Sequence, residues 1–140
     1  MEQPRLILQN DSTSLDMNST GDKCSFLVAR PIKVKSVGLC MLSTDAGGAT
    51  VKFDRRVTAG SDSGRVSGSV GIITVPASDS QGKILYEDEA ASADLILDAG
   101  DEIVVNVTAE NVSANAFFKP FVEYYMLSEA RANDADASAA

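Results

Sequence analysis

The sequence predicts an all-β protein, an antiparallel β-sandwich carrying an N-terminal arm and a C-terminal tail. Three observations lead there. The apolar segments are short and rich in valine and other β-branched residues, the residues that fit a pleated, half-buried surface. Clusters of Gly, Asp, Asn and Ser separate them at close intervals, as between the strands of a sandwich or barrel. No sustained helical period competes with this alternation, and no internal repeat is present. The chain has 140 residues, 44% of them apolar, which suits one domain with one core.

The elements follow in chain order. Arg5–Leu8 reads as a short arm strand, and Asp11–Asp22 as a polar loop. Together, residues 1–22 form an arm and linker. The sandwich domain spans 23–127. Strands are expected at Cys24–Ala29 and Ile32–Ser43, with a bend at Arg30-Pro31. In the second strand the apolar phase slips: Ile32 and Val34 share one face, Val37, Leu39 and Met41 the other. A bulge near Ser36 or Gly38 explains the slip. Thr44–Gly48 reads as a hairpin turn. Beyond it Val51 and Phe53 point inward, while Thr50, Lys52 and Asp54 point outward.

Thr58–Ser69 is a Gly/Ser-rich loop, too polar to pack. Val70–Val75 is apolar on both faces and reads as a buried strand. Pro76–Gln81 is a turn. Gly82–Glu87 and Asp94–Asp98 are short strands around an acidic, Ala-rich loop. Ala99-Gly100-Asp101 makes a tight turn, in which Gly100 accepts a positive φ and Asp101 bonds back to turn amides. Glu102–Thr108 alternates, with Ile103, Val105 and Val107 inward. Phe117–Leu127 is the last strand. Its apolar face is Phe118, Pro120, Val122, Tyr124 and Met126, and Pro120 belongs at an edge or a bulge. Residues 128–140, dominated by Ala and Asp, are a tail without core-forming side chains.

Charge and composition narrow the function. The net charge is −8, and residues 81–140 carry nine more acidic than basic side chains. An acidic chain without a basic stripe is a poor nucleic-acid binder, because neutralising phosphates supplies most of that affinity. No apolar run approaches a membrane span, and the first residues do not read as a signal peptide. Cys24 and Cys40 each lie in an apolar run. Two reduced core thiols are the ordinary reading, a bridge between them the alternative. Asn10, Asn18, Asn106 and Asn111 head Asn-x-Ser/Thr triplets that a Ser/Thr-rich chain produces by chance.

The chain contains no histidine, the commonest general base and metal ligand. Two cysteines are too few for a cysteine zinc site. There is neither a P-loop nor a dinucleotide fingerprint. Glu87, Asp88, Glu89, Asp94, Asp98, Asp101 and Glu102 form an acidic patch. A solvated loop explains it, and calcium coordination is its functional alternative. Paired carboxylates for sugar hydrolysis lack the aromatic platforms such a site uses. No enzymatic activity and no cofactor are expected.

Eight or nine short strands match a jelly roll in size. Leu97-Asp98-Ala99-Gly100-Asp101-Glu102-Ile103-Val104-Val105, where one strand ends in a Gly-Asp turn and the next begins at once, is common in jelly-roll proteins. This element joins Val51-Lys52-Phe53-Asp54-Arg55-Arg56 after a Gly-Gly turn, Val70–Pro76, Gly82-Lys83-Ile84-Leu85-Tyr86 and Phe121-Val122-Glu123. With them, residues 32–127 resemble the decoration (cement) proteins encoded in tailed-phage head operons. The resemblance is one of pattern and spacing.

The resemblance implies a jelly-roll-like virion protein on the outer capsid surface, assembled in the host cytoplasm. Its partners would be the major capsid protein and itself, as a homotrimer, with no nucleic acid and no membrane. It also implies contacts through both chain ends: Arg5, Leu6, Ile7, Leu8, Leu127 and Arg131. Leu6-Ile7-Leu8 reads equally as an arm that adds a strand to a neighbour or as the domain's own first strand. Two alternatives are a receptor- or glycan-binding tip or fibre module, and a calcium-dependent bacterial adhesion module.

Overall fold

The computed structural model describes residues 6–9, 15–42, 48–75, 85–91, 95–109 and 117–127; for 6–9 and 85–89 it describes the backbone alone. The described residues form ten strands: β1 (Leu6–Gln9), β2 (Leu15–Asp16), β3 (Gly21–Leu27), β4 (Ile32–Met41), β5 (Ala49–Arg56), β6 (Val66–Val75), β7 (Leu85–Glu89), β8 (Ile96–Leu97), β9 (Glu102–Ala109) and β10 (Phe117–Met126). Among the described residues there is no helix. One sheet runs β1-β10-β4-β7, with β2 also paired to β10 and β8 to β4; the other runs β3-β9-β5-β6. Every pairing is antiparallel. The two sheets face each other as a β-sandwich.

The core lies between them. Phe53, Phe118, Met17, Leu39, Met41, Leu97 and Ile103 are fully buried there, with valines from β4, β5, β6, β9 and β10. The phase slip in β4 has a simple cause. Glu123 of β10 faces Ser36 while Tyr124 faces Val34, so Lys35 is bulged out. The bulge brings Ile32 and Val34 onto the same buried face as Val37, Leu39 and Met41. Pro120 lies between the part of β10 that pairs with β2 and the part that pairs with β1, where its missing N–H interrupts neither ladder.

Several expectations change. Thr44–Gly48 does not close a hairpin, because β4 and β5 belong to different sheets and the chain crosses between them there; residues 44–47 lie outside the described residues. The segment Asp11–Asp22 is not all loop: β2 and the first residues of β3 lie in it. Met17 is fully buried, so the core draws on residues ahead of position 23. Val70–Val75 is not buried throughout: Val70, Gly71, Ile73 and Val75 are buried, but Ile72 is 44% exposed and Thr74 is exposed. Cys24 and Cys40 are half-buried thiols in opposite sheets and form no disulfide with each other. Leu6–Gln9 pairs with β10 of its own chain, as a first strand of the domain would. The tail 128–140 lies outside the described residues.

Candidate interaction surfaces

Two features stand out on the sandwich. The first is an apolar concavity at one end. It is built by the crossover from β3 to β4, which is fastened at both ends. The Val28 amide donates to the Asp101 carbonyl, and the Gly100 amide donates to the Val28 carbonyl. Gly100 has φ +96°, and the Asp101 carboxylate accepts a bond from the Asp98 amide, so the predicted tight turn anchors the crossover. At the other end the Leu127 amide donates to the Pro31 carbonyl. Leu27, Val28, Ala29, Arg30, Ile32, Tyr124 and Met126 line a concavity of about 190 Å³. Leu27 is 61% exposed and Met126 41%, although both are large and apolar.

Of the contact residues expected from sequence, the backbone of Leu6 and that of Leu127 lie next to this concavity. Leu6 faces Tyr124 across the β1–β10 ladder, with Ile7 and Leu8 following along the same edge. Leu127 closes the pair with Pro31. Arg5 and Arg131 lie outside the described residues. Leu27 and Arg30 were not singled out from sequence. The available signal was phase: Phe26 and Val28 point inward, which leaves apolar Leu27 facing water.

The second feature is a polar clasp on the outer face of the β3-β9-β5-β6 sheet. Asp54 was expected to point to solvent. It does sit in the outward phase of β5, but it is buried, because the 57–65 loop folds back over it. Arg65 is the hub. Its Nε and Nη2 donate to Asp54 Oδ2 at 3.0 and 2.8 Å, and its fork grips both oxygens of Asp22. A weaker contact reaches Asp62 Oδ1 at 3.3 Å. Gly68, with φ +66°, donates its amide to the other Asp54 oxygen at 2.6 Å, and Asn106 donates to Asp22.

A neighbouring pair extends the clasp. Arg56 Nε lies 3.2 Å from Glu102 Oε1, and Glu102 also accepts bonds from Ser25 and from the Gly60 amide. The loop read as too polar to pack is therefore fixed by charged side chains instead of apolar ones. Arg65 holds the Asp22 carboxyl well below its ordinary range, at about 2, with help from Asn106 and against the opposing effect of burial. The guanidinium of Arg65 is in turn held further above its ordinary value, chiefly by Asp22. Chemically this is an electrostatic fastener with its carboxylate ionised at neutral pH.

The acidic patch divides likewise. Asp101 accepts a 2.7 Å contact from Arg55, which also approaches Asp98, and Glu102 faces Arg56. Among the described residues no group of His, Cys, Asp and Glu is arranged to hold a metal ion. The side chains of Glu87, Asp88 and Glu89, and all of Asp94, lie outside the described residues. Compared with protein-family models, curated proteins and solved structures, the chain matches none.

Proposed function

We propose that this chain is a non-enzymatic virion structural protein of the capsid-decoration type, which binds the outer surface of a tailed-phage shell and bridges coat subunits. The observation that carries the reading is the exposed apolar end of the sandwich, where Leu27 and Met126 stand beside the strand β1 and the Leu127 end of β10. An apolar patch rimmed by polar residues is the usual mark of a protein–protein contact. The resemblance of residues 32–127 to cement proteins supplies the partner.

The strand order favours the jelly-roll form of the sandwich. Taking the longer strands β1, β3, β4, β5, β6, β7, β9 and β10, every connection except β5–β6 crosses from one sheet to the other. Such double-sheet interleaving belongs to jelly rolls, which serve widely as capsid domains. The Arg55 and Arg56 contacts leave Asp98, Asp101 and Glu102 poor partners for calcium, which weighs against the adhesion reading.

Expanded capsid shells lacking the protein test the proposal. Saturable binding at a fixed ratio to the coat protein, with increased heat resistance of the shell, supports it. Absence of binding at micromolar concentration sinks it and moves the weight to a tip or fibre module. Such a module would be present in few copies per particle.

A further inference from the structure

We infer that the concavity lined by Leu27, Ile32, Tyr124 and Met126 receives an extended segment of a partner protein that carries one bulky apolar side chain and a nearby carboxylate, the carboxylate meeting Arg30. The inference rests on the interaction-protein reading and names the partner's chemistry. Its size sets the first requirement. A space of about 190 Å³ holds one large side chain, and its walls are apolar except for Arg30 and the tyrosine hydroxyl.

Charge sets the second. In this acidic chain the described arginines are otherwise neutralised: Arg55 by Asp101, Arg56 by Glu102, Arg65 by Asp22 and Asp54. Arg30 is the exception, exposed at the rim and without an ion pair to any described carboxylate. A guanidinium beside an apolar recess selects an apolar residue with an acid next to it, because the fork pairs with a carboxylate while the recess buries the side chain. The crossover that carries Arg30 is pinned at Val28 and Pro31, so the two elements of recognition keep a fixed spacing.

The probe is an acetylated, amidated octapeptide of glycine and serine bearing one leucine and one glutamate two positions apart. Controls replace the glutamate by lysine or the leucine by serine. Binding is followed by backbone amide shifts of the full-length, isotope-labelled chain. The expected result is saturable shifts confined to residues 27–32 and 124–127, at least tenfold weaker for either control. Arg30→Glu should reverse the preference towards the lysine peptide, and Leu27→Ser should weaken both.

Both variants change exposed side chains, and unchanged thermal unfolding verifies their fold. Equal binding of all peptides, shifts elsewhere, or an unchanged preference in Arg30→Glu overturns the inference. So do concentration-dependent shifts of the same amides without peptide, which would make a second copy the occupant. The shell assay separates the two levels. If shells bind wild type and both variants alike, the decoration reading stands and this site assignment fails. If shells bind none of them, the decoration reading itself fails.

Discussion

Replacing Arg65 by Met tests what closes the 57–65 loop. Methionine keeps most of the aliphatic stem and removes the guanidinium. Asp54, with a side chain only 5% exposed, then keeps the Gly68 amide but loses both bonds from Arg65. Breaking a fully buried ion pair by removing one partner costs roughly 3–5 kcal/mol. Arg65 is 16% exposed, so the lower end applies. Asp22 and Asp62, at 45% and 75% exposed, add little, since surface pairs are worth about 0–1 kcal/mol. The expected loss is about 3 kcal/mol, equivalent to a fall in Tm of roughly 10 °C for a domain of this size. Urea unfolding followed by circular dichroism measures it, with an unchanged m-value. Asp62→Asn is the control and should cost less than about 0.5 kcal/mol. If Arg65→Met loses no more than that control, the loop is held by its backbone and the clasp is incidental.

Other perturbations test neighbouring parts of the structure. The Asp22 carboxyl sits at about 2 in the folded chain, below its ordinary 3.8. Its stabilising contribution is therefore complete above pH 3.8 and is lost as pH falls towards 2. Stability measured from pH 4 to pH 2 should fall more steeply in wild type than in Arg65→Met; parallel curves would refute the coupling. Gly38→Ala would drive a Cβ into the Phe121 ring, so roughly 1–3 kcal/mol should be lost, and Phe121→Leu in the same chain should recover part of it. Full destabilisation persisting in that double variant would show that the ring is not the obstacle. Asp101→Ala strips Arg55 and the Asp98 amide of their shared acceptor, and a loss of about 2–3 kcal/mol is expected by thermal unfolding. A change under about 0.5 kcal/mol would mean that the turn holds without its carboxylate.

Local pattern carried much of the fold. Ile103, Val105 and Val107 alternate inward as their spacing requires, because β9 is a central strand with one face on the core. The Gly100–Asp101 turn was legible because its geometry depends on two adjacent residues. The bulge in β4 was legible because a one-residue slip moves every apolar side chain to the other face, and a strand that must stay buried corrects it. The pairing of strands was not legible in the same way. A Gly-rich connection such as Thr44–Gly48 looks alike whether it closes a hairpin or crosses to the opposite sheet, and the choice lies in long-range packing.

The two surface features fail to show in sequence for different physical reasons. The clasp joins Asp22, Asp54, Arg65 and Asn106, which become neighbours only because β3, β9 and β5 lie side by side while the loop before β6 carries Arg65 back over them. Read along the chain, Asp22 and Arg65 are polar loop residues and Asp54 and Asn106 sit in an outward strand phase, and only the sheet order turns Asp54 into a buried carboxylate. The concavity is the converse. Leu27 and Met126 are apolar residues in strands that bury Phe26, Phe118 and Val122, so composition assigns them to the core, and only the inward phase of Phe26 and Val28 marks Leu27 as outside. They stay outside because the crossover at 28–31 is bound to the Asp101 turn on one side and to Leu127 on the other, which stops β3 and β10 from closing over them. The same hydrogen bonds that complete the sandwich thus leave its end open, with Arg30 on the rim.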